Sequence, residues 1–344
     1  MKTFLWVVLG IVVVGGIVFM MGPRITVNTK LKPVKLPKDL DAYLKQQEAS
    51  VKNIRPNTEK IIVWADPKTK QQTPISIIYL HGFGATRKET DPLCSILAKA
   101  MGANLYYARL RGHGRDGDAL GAAKAGEWLQ DAHEAYEIGR RLGKKVLIAA
   151  TSTGATIALW MAATRTMPDL GGLALFSVNI KPKDAASRVF LLPWGIQLAK
   201  LIAGKRYKWK PYSKQQALYW TYDHPIEALG EMMGLVQLLE KVDYSKIKVP
   251  TIVVYSGKDR VIDVSALRKS FKKLGSANKK MIDIGDTPNP YDHVIAGDIA
   301  NPTTTKTIAE KVIAFFKPVF GLTTAPKPRA DAMKKDEKVK PKSR

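Results

Sequence analysis

The stretch Val146–Gly154, with the sequence VLIAATSTG, is the most informative part of this chain. An apolar run typical of a buried strand ends in a serine flanked by small residues, and the helix-forming run 155–163 follows. A strand, a sharp turn with a serine and a helix form a nucleophile elbow, which exposes the serine hydroxyl and directs helix amides towards its target. The usual pattern is Gly-x-Ser-x-Gly, and Ala150 replaces the first glycine. An ordinary strand-to-helix turn can carry the same pattern, so the partners of Ser152 decide the interpretation.

A nucleophilic serine requires a histidine base and an acid that orients the histidine. In an elbow fold these follow the serine in the order acid, histidine. Asp259 comes just past the apolar run 251–255, and His293 lies in the loop after the strand-like run 281–284. We therefore predict that Ser152 is the nucleophile, His293 the base and Asp259 the orienting acid.

Two further carboxylates compete with Asp259 for the role of the acid. Asp263 and Asp292 lie nearby in the sequence, but the position of Asp259 directly after a strand favours it. In the alternative interpretation, Asp259 caps the helix that begins near Val264, and His293 only closes a loop. The sequence favours the catalytic roles because all three residues occur in the required order.

Two backbone amides must form the oxyanion hole of such a site. We assign one to Thr153, directly after the serine, and the other to Phe83, in the His-Gly-Phe-Gly loop that follows a buried-strand run. The glycines of this loop let the backbone turn its amides inward. His81 is expected to brace the loop, and His113, in a second glycine-bracketed loop, is expected to be structural too.

Together these motifs resemble the α/β-hydrolase superfamily, and most closely its lysophospholipase and monoacylglycerol-lipase-like serine hydrolases. They are the His-Gly-Phe-Gly loop, the Arg-Gly-His-Gly loop from Arg111, the elbow, the Gly257-x-Asp259-x-Val261 turn and the pair His293-Val294. The resemblance covers roughly residues 58–318. It implies an α/β-hydrolase fold and hydrolysis of acyl esters through a Ser-His-Asp triad and an acyl-enzyme. A serine peptidase, an acyltransferase and a non-enzymatic membrane-tethered scaffold are the alternatives.

Short apolar runs alternate with helical patterns, which predicts a mainly parallel sheet flanked by helices. Residues 126–142 illustrate a covering helix, because apolar side chains recur there at three- and four-residue steps. Cys94 is the sole cysteine and is expected to pack in a helix. The five histidines are scattered without metal-ligand spacing, so we expect no metal and no other cofactor.

The amino terminus carries an uninterrupted apolar stretch from Phe4 to Met21, which is long enough to span a bilayer. We interpret residues 1–23 as an uncleaved transmembrane anchor that holds the protein in the cell membrane by a single pass. A cleaved signal peptide is the alternative, but no Ala-x-Ala-like cleavage site follows. Lysines and arginines after the stretch favour an inward-facing domain, whereas the short Met-Lys start is typical of exported proteins, so sidedness stays open.

The remaining boundaries follow from composition and from the expected strands. Residues 24–57 are predicted to be a juxtamembrane linker, 58–180 and 249–318 the hydrolase core, and 181–248 a helical cap or lid insertion. The cap is rich in apolar residues that could line a lipid tunnel or form a small core of their own. They occur in the runs 189–196, 219–220 and 232–236. Residues 319–344, rich in lysine and proline, are predicted to be a disordered basic tail.

The net charge of +25 raises the question of nucleic acid, which we do not expect as a partner. The basic residues are spread along the chain and no nucleic-acid-binding motif accompanies them. Near an anionic bilayer, each basic side chain contributes about 1 kcal/mol of attraction. The expected partners are therefore a small-molecule or lipid ester and the membrane, reached through the amino-terminal helix, while the tail either adheres to the membrane or only aids solubility.

Overall fold

A twisted parallel sheet forms the centre of the computed structural model, which describes residues 1–322. Its strands and those of a smaller sheet, β1 to β9, are Ile61–Val63, Thr73–Leu80, Asn104–Tyr107, Gly143–Thr151, Leu170–Phe176, Arg206–Lys208, Asp223–Pro225, Thr251–Tyr255 and Lys279–Asp283. Seven strands pair in the order β1-β3-β2-β4-β5-β8-β9. Every neighbouring pair is parallel except β1 with β3. The predicted mainly parallel sheet is therefore confirmed.

Helices cover both faces of this sheet. The helices α1 to α11 are Lys2–Met20, Leu40–Ala49, Leu93–Met101, Gly117–Ala122, Ala125–Leu142, Thr153–Thr164, Gly195–Ala203, Lys214–Tyr219, Glu227–Glu240, Val264–Lys272 and Pro302–Val319. Short 3-10 turns lie at Arg87–Glu89, Ala185–Leu191 and Tyr244–Lys246. The predicted covering helix over residues 126–142 is α5, which begins one residue earlier, at Ala125.

The alternation of side chains along β2 explains how one strand serves two cores. Ile77 and Tyr79 pack with the apolar residues of α3 and α11, whereas Ile78 and Leu80 pack on the opposite face with α5 and α6. Successive side chains of a strand point to opposite faces, so a strand covered on both sides must be apolar throughout. Burial of each such side chain contributes roughly 1.5–3 kcal/mol to folding.

The chain between β5 and β8 forms the cap. It contains α7, α8 and α9 together with the antiparallel pair β6–β7, so the cap is not purely helical. Within the run 189–196, Phe190 is buried in a small core of the cap, where it packs with Ala199, Ile226 and Met233. Part of the apolar sequence of the cap therefore holds the cap together.

The amino-terminal helix α1 stands apart from both cores. Within residues 1–322, Thr3–Met20 is the one stretch long and apolar enough to cross a membrane, and none of it is buried. Its 18 residues correspond to a length of about 27 Å at 1.5 Å per residue. By length and composition α1 fits a membrane anchor or a signal sequence.

Residues 22–36, which we call the strap, join α1 to the domain and lie along its surface. The amide of Trp194 donates to the carbonyl of Pro23 at 2.9 Å, which fixes the start of the strap to the cap. Further along, the Lys32 amide donates to Gln130 Oε1 on α5 at 2.7 Å. The predicted linker region 24–57 is thus packed on the domain, and it includes α2, whose Leu44 is buried.

Two glycines of α9 make room for the strap. A β-carbon at Gly234 would lie 2.7 Å from Val27 Cγ2 and 2.8 Å from Ile25 Cγ2, and one at Gly230 would lie 3.1 Å from Ile25 Cδ1. Contacts below 3 Å are not tolerated by real β-carbons, so a larger residue at 234 must displace the strap. Glycine in the middle of a helix is destabilising, but here it allows this close packing.

The carboxyl-terminal helix α11 ends at Val319. The predicted tail, 319–344, lies outside the described residues from position 323 onward.

On the face of the sheet that α11 covers, α3 buries Cys94, as the sequence predicts, and burial raises the pKa of its thiol.

The contact between α9 and the strap gives a stability prediction. Gly234→Val should lower the free energy of unfolding by about 1–3 kcal/mol, because the side chain overpacks against Ile25 and Val27. It should also speed trypsin cleavage after Lys30, since release of the strap exposes its backbone. Gln237→Val, which places the same branched side chain elsewhere on α9, is the matched control. Unchanged cleavage in Gly234→Val would show that the strap is not held by this contact.

Candidate active site

The predicted site residues follow different strands but lie at one edge of the sheet. Phe83 follows β2, Ser152 follows β4, Asp259 follows β8, and His293 lies in the loop between β9 and α11. Carboxyl ends of parallel strands share an edge, so the topology brings together residues far apart in sequence. A cavity with a volume of about 330 Å³ lies over this edge and is covered by the cap.

Ser152 occupies a strained turn between β4 and α6. Its φ and ψ are +50° and −114°, in a region that residues with a side chain rarely adopt. The turn is possible because Gly154 has no side chain: a β-carbon there would lie 2.6 Å from the carbonyl oxygen of His81. The helix therefore starts against the end of β2, and the serine hydroxyl points into the cavity.

Ser152, His293 and Asp259 are connected by hydrogen bonds. The Ser152 hydroxyl lies 2.9 Å from His293 Nε2, and His293 Nδ1 lies 2.8 Å from Asp259 Oδ2. The other carboxylate oxygen of Asp259 accepts from the amides of Val261 at 2.8 Å and Ile262 at 3.1 Å. Asp259 is thereby held on both oxygens, and His293 is placed to accept the serine proton on Nε2 and to donate from Nδ1.

The two rival carboxylates make other contacts. Asp263 caps α10 by accepting from the Ala266 amide, and it pairs with Lys181 at 3.0 Å. Asp292 accepts from the Thr287 amide at 2.8 Å. Of the three candidates, the structure brings only Asp259 to His293.

The electrostatic setting of His293 favours its protonated form. Burial lowers the pKa of His293, but the charge and the hydrogen bond of Asp259, together with the charge of Glu89, outweigh burial and raise this pKa above its ordinary value. A histidine with a raised pKa is a stronger base once it is neutral. The arrangement therefore suits transfer of a proton from Ser152 to His293.

Phe83 and Thr153 line the same cavity. Within residues 1–322, neither backbone amide has a hydrogen-bond acceptor in the protein, and both residues line the cavity beside Ser152. Unpaired amides at the start of a helix and in a glycine loop are the donors that a developing oxyanion requires. Both predicted donor residues therefore lie beside Ser152, and the oxyanion role of their amides stays a prediction.

His81 and His113 support the loops around the site. His81 Nε2 accepts from the Leu110 amide at 3.1 Å, so its Nδ1 carries the proton and donates to the Gly82 carbonyl at 2.9 Å. Burial lowers the pKa of His81 to about 4 and that of His113 well below its usual range. Both rings are thus neutral braces that join the loop after β2 to the loop after β3.

The cavity wall combines residues of the core and of the cap. Trp220 and Met232, from the apolar runs noted in the sequence, lie on it, together with Leu229 on α9. Sequence reasoning missed several further wall residues, which are Glu89, Asn179, Tyr207, Trp209, Gln216, Thr221, His224, Asn289 and Tyr291. These aromatic and polar residues lie in loops or in elements of three to six residues, which are too short to carry a periodic signal, so no pattern singled them out.

A larger cavity, of about 810 Å³, lies between the strap, α2 and α5. Its wall is charged and includes the ion pairs of Arg109 with Glu48 and of Lys60 with Glu134. It contains none of the predicted site residues. Among residues 1–322, no group of three histidine, cysteine or acidic residues is placed to hold a metal ion.

The parallel sheet, the elbow and the cap insertion define the chain as an α/β hydrolase. It belongs to the Hydrolase_4 family, described as serine aminopeptidase, S33, whose model matches residues 71–286. A relative, the thermostable monoacylglycerol lipase of Bacillus sp. (strain H-257), is 24% identical over 259 residues, which are 74% of this chain and 96% of the relative.

Two solved structures share the fold. A chain described with the metagenome-derived lipolytic enzymes LipS and LipT has a TM-score of 0.63 at 16% identity, with 77% of this chain and 100% of that chain covered. A soluble variant of monoglyceride lipase from Saccharomyces cerevisiae, bound to a substrate analogue, has a TM-score of 0.59 at 15% identity and covers 78% of this chain and 92% of that one.

The raised pKa of His293 gives a pH prediction. A base must be neutral, so kcat/KM for a p-nitrophenyl ester should fall as the pH drops through a value above about 6.5, the ordinary histidine pKa. Asp259→Asn removes the charge that raises this pKa, so the acid limb should move to lower pH. The rate should fall by about 10⁴-fold, because the amide no longer fixes the tautomer of His293.

Asp263→Asn is the matched control, because it changes the rival carboxylate and keeps a helix-capping side chain. It should leave both the rate and the acid limb unchanged. An acid limb that moves in Asp263→Asn and stays in place in Asp259→Asn would reverse the assignment of the acid.

Proposed function

We propose that this chain is a membrane-anchored serine hydrolase that cleaves acyl esters of lipid-like alcohols, such as a monoacylglycerol or a lysophospholipid. The observation that carries the proposal is the hydrogen-bonded series Ser152, His293 and Asp259 beside two unpaired amides. The lipase and esterase names of the relatives supply the ester class as support.

The first half of the reaction forms an acyl-enzyme. His293 Nε2 takes the hydroxyl proton of Ser152 while Oγ attacks the ester carbonyl carbon, and the amides of Phe83 and Thr153 donate to the resulting oxyanion. The C–O bond to the alcohol then breaks, and His293 returns its proton to the departing alcohol oxygen. Asp259 holds the imidazolium by its charge throughout.

Water completes the second half. His293 removes a proton from water, the hydroxide oxygen attacks the acyl carbon, and the same two amides donate to the second oxyanion. Collapse breaks the bond to Ser152 Oγ, which regains the proton from His293 and leaves a free fatty acid. The enzyme returns to its starting state without a cofactor.

The cavity supports an acyl substrate of moderate size. Leu229, Met232, Trp209 and Trp220 supply apolar wall on the cap side, and methionine adapts its shape to a flexible chain. The volume of about 330 Å³ is at the small end of the range of roughly 300–1,000 Å³ that ligand sites occupy. We therefore infer a preference for medium acyl chains.

The amino-terminal helix supports the membrane setting of the proposal. Its exposed apolar surface matches a bilayer rather than water. Trp194 Nε1 donates to the Val18 carbonyl at 3.2 Å, so the cap lies next to the end of α1. An embedded α1 would bring the cap and its cavity close to the lipid that carries the substrate.

A peptidase is the second candidate, because the matched family is described as serine aminopeptidase. The same serine, histidine and amides would act on an amide bond, whose leaving amine also receives its proton from His293. Amide and ester substrates of the same shape decide between the two, and faster cleavage of the amide would favour the peptidase.

Ser152→Ala tests the nucleophile. Hydrolysis of p-nitrophenyl esters by the detergent-solubilised full chain should fall to background, because no other group can form the acyl-enzyme. Ser265→Ala, which removes an exposed hydroxyl on α10, should retain full activity. Substantial turnover by Ser152→Ala, with its fold verified by circular dichroism, would contradict the proposed mechanism.

The cavity wall gives a prediction on acyl-chain length. Met232→Trp should shift the optimum of a p-nitrophenyl ester series towards shorter chains, because the larger side chain fills part of the cavity. Met232→Leu keeps the volume similar and should leave the optimum in place. An unchanged optimum in Met232→Trp would show that the acyl chain lies elsewhere.

A further inference from the structure

A second carboxylate, that of Glu89, lies in the wall of the cavity that contains Ser152 and His293. Glu89 belongs to the 3-10 turn Arg87–Glu89 after the oxyanion loop, and only 2% of its surface is exposed. A carboxylate is buried to this extent only when other groups satisfy it. The mechanism above assigns it no part.

One oxygen of Glu89 holds the oxyanion loop. Oε2 accepts from the Gly82 amide at 2.9 Å and from the Tyr79 hydroxyl at 2.8 Å. The Tyr79 hydroxyl also lies 3.0 Å from Thr151 Oγ1, which precedes the nucleophile. Through these bonds Glu89 fixes the residue before Phe83, whose amide is one of the two oxyanion donors.

The other oxygen of Glu89 faces Ser152. A β-carbon at Gly82 would lie 2.7 Å from Glu89 Oε1 and 3.3 Å from Ser152 Cβ, so the absence of a side chain at Gly82 leaves the carboxylate next to the nucleophile. Within residues 1–322, Oε1 has no hydrogen-bond donor. Glu89, Ser152 and His293 line the same cavity, so the carboxylate lies beside the groups proposed to react.

Glu89 and His293 influence each other's charge. Asp259 and Glu89 are the carboxylates whose charges act on His293, and His293 acts in turn on Glu89. Tyr79 on β2 bonds to Glu89, and the charge of Glu89 also reaches Tyr212 in the cap, but both phenols have raised pKa values and stay neutral. Burial raises the pKa of Glu89 to about 6, although the hydrogen bonds from Gly82 and Tyr79 act to lower it. Glu89 is therefore charged at neutral pH.

We propose that Glu89 is a positioning residue of the active site, which holds the oxyanion loop through Gly82 and stabilises the protonated His293 that forms during acyl transfer. The inference rests on the proposed function, since it needs His293 to become charged in the reaction. No bond to Glu89 forms or breaks: the proton moves from Ser152 Oγ to His293 Nε2, and the nearby negative charge favours that transfer.

Glu89→Gln separates the charge from the hydrogen bonds, because the amide oxygen can still accept from Gly82. In the detergent-solubilised full chain, the acid limb of kcat/KM should move to lower pH by about 1 unit, since His293 loses a neighbouring negative charge. At the pH optimum kcat should fall by about 10-fold with little change in KM. Glu310→Gln, which removes an exposed charge on α11, should leave the limb in place.

Tyr79→Phe provides a second test that keeps the carboxylate. Tyr79→Phe removes a hydrogen bond to the charged form of Glu89, which raises the pKa of Glu89. Glu89 is then neutral over a wider pH range, so it stabilises the protonated His293 less. The acid limb of kcat/KM should therefore also move to lower pH, by less than in Glu89→Gln. Glu89→Asp, which retains the charge, should restore the wild-type limb at least in part.

An acid limb that stays in place in both Glu89→Gln and Tyr79→Phe, with the variants folded by circular dichroism, would overturn the inference. An equal shift of the acid limb in Glu310→Gln would also overturn the inference, because the change in net charge would then explain the shift. Ser152→Ala distinguishes this failure from that of the proposed function. If Ser152→Ala is inactive and the limb is unmoved, only the role of Glu89 is lost, whereas an active Ser152→Ala removes the proposed function itself.

Discussion

The close approach of α6 to the end of β2 is the contact on which the site depends. Gly154 lies so near the carbonyls of Leu80 and His81 that no side chain fits between them, and this contact goes with the positive φ of Ser152. Thr153, the first residue of α6, and Phe83 both line the cavity beside Ser152. The packing of the two elements thus offsets a backbone strain of about 1–3 kcal/mol at Ser152.

Charge is distributed around His293 so that a buried imidazole can become positive. Burial alone opposes that charge, and Asp259 counters it through a carboxylate whose two oxygens are both held. By contrast, His81 and His113 are buried with no carboxylate partner among residues 1–322, and burial lowers their pKa values. The neighbouring carboxylates therefore decide whether the pKa of a buried histidine in this domain rises or falls.

The sequence predicted those parts of the site that lie next to strand ends in the chain. The elbow, Asp259 and His293 could be located because a short apolar run precedes each of them and their order is fixed by the fold. Glu89 could not, since its place beside Ser152 depends on the turn that follows the oxyanion loop rather than on any motif. The packing of the strap could not be predicted for a similar reason. In the sequence Gly234 is only a helix-destabilising residue, and its contact with Ile25 and Val27 depends on the tertiary structure.

The strap also determines how freely the domain can move relative to α1. A flexible linker of this length would act as a swivel and let the domain tilt and change its height above a surface. Pro23 is hydrogen-bonded to the cap and Lys32 to α5, so these bonds restrict the movement of the segment between α1 and the domain. With α1 embedded as proposed, the cap would keep one orientation towards the leaflet, and substrate would arrive by lateral diffusion within the lipid rather than through bulk water.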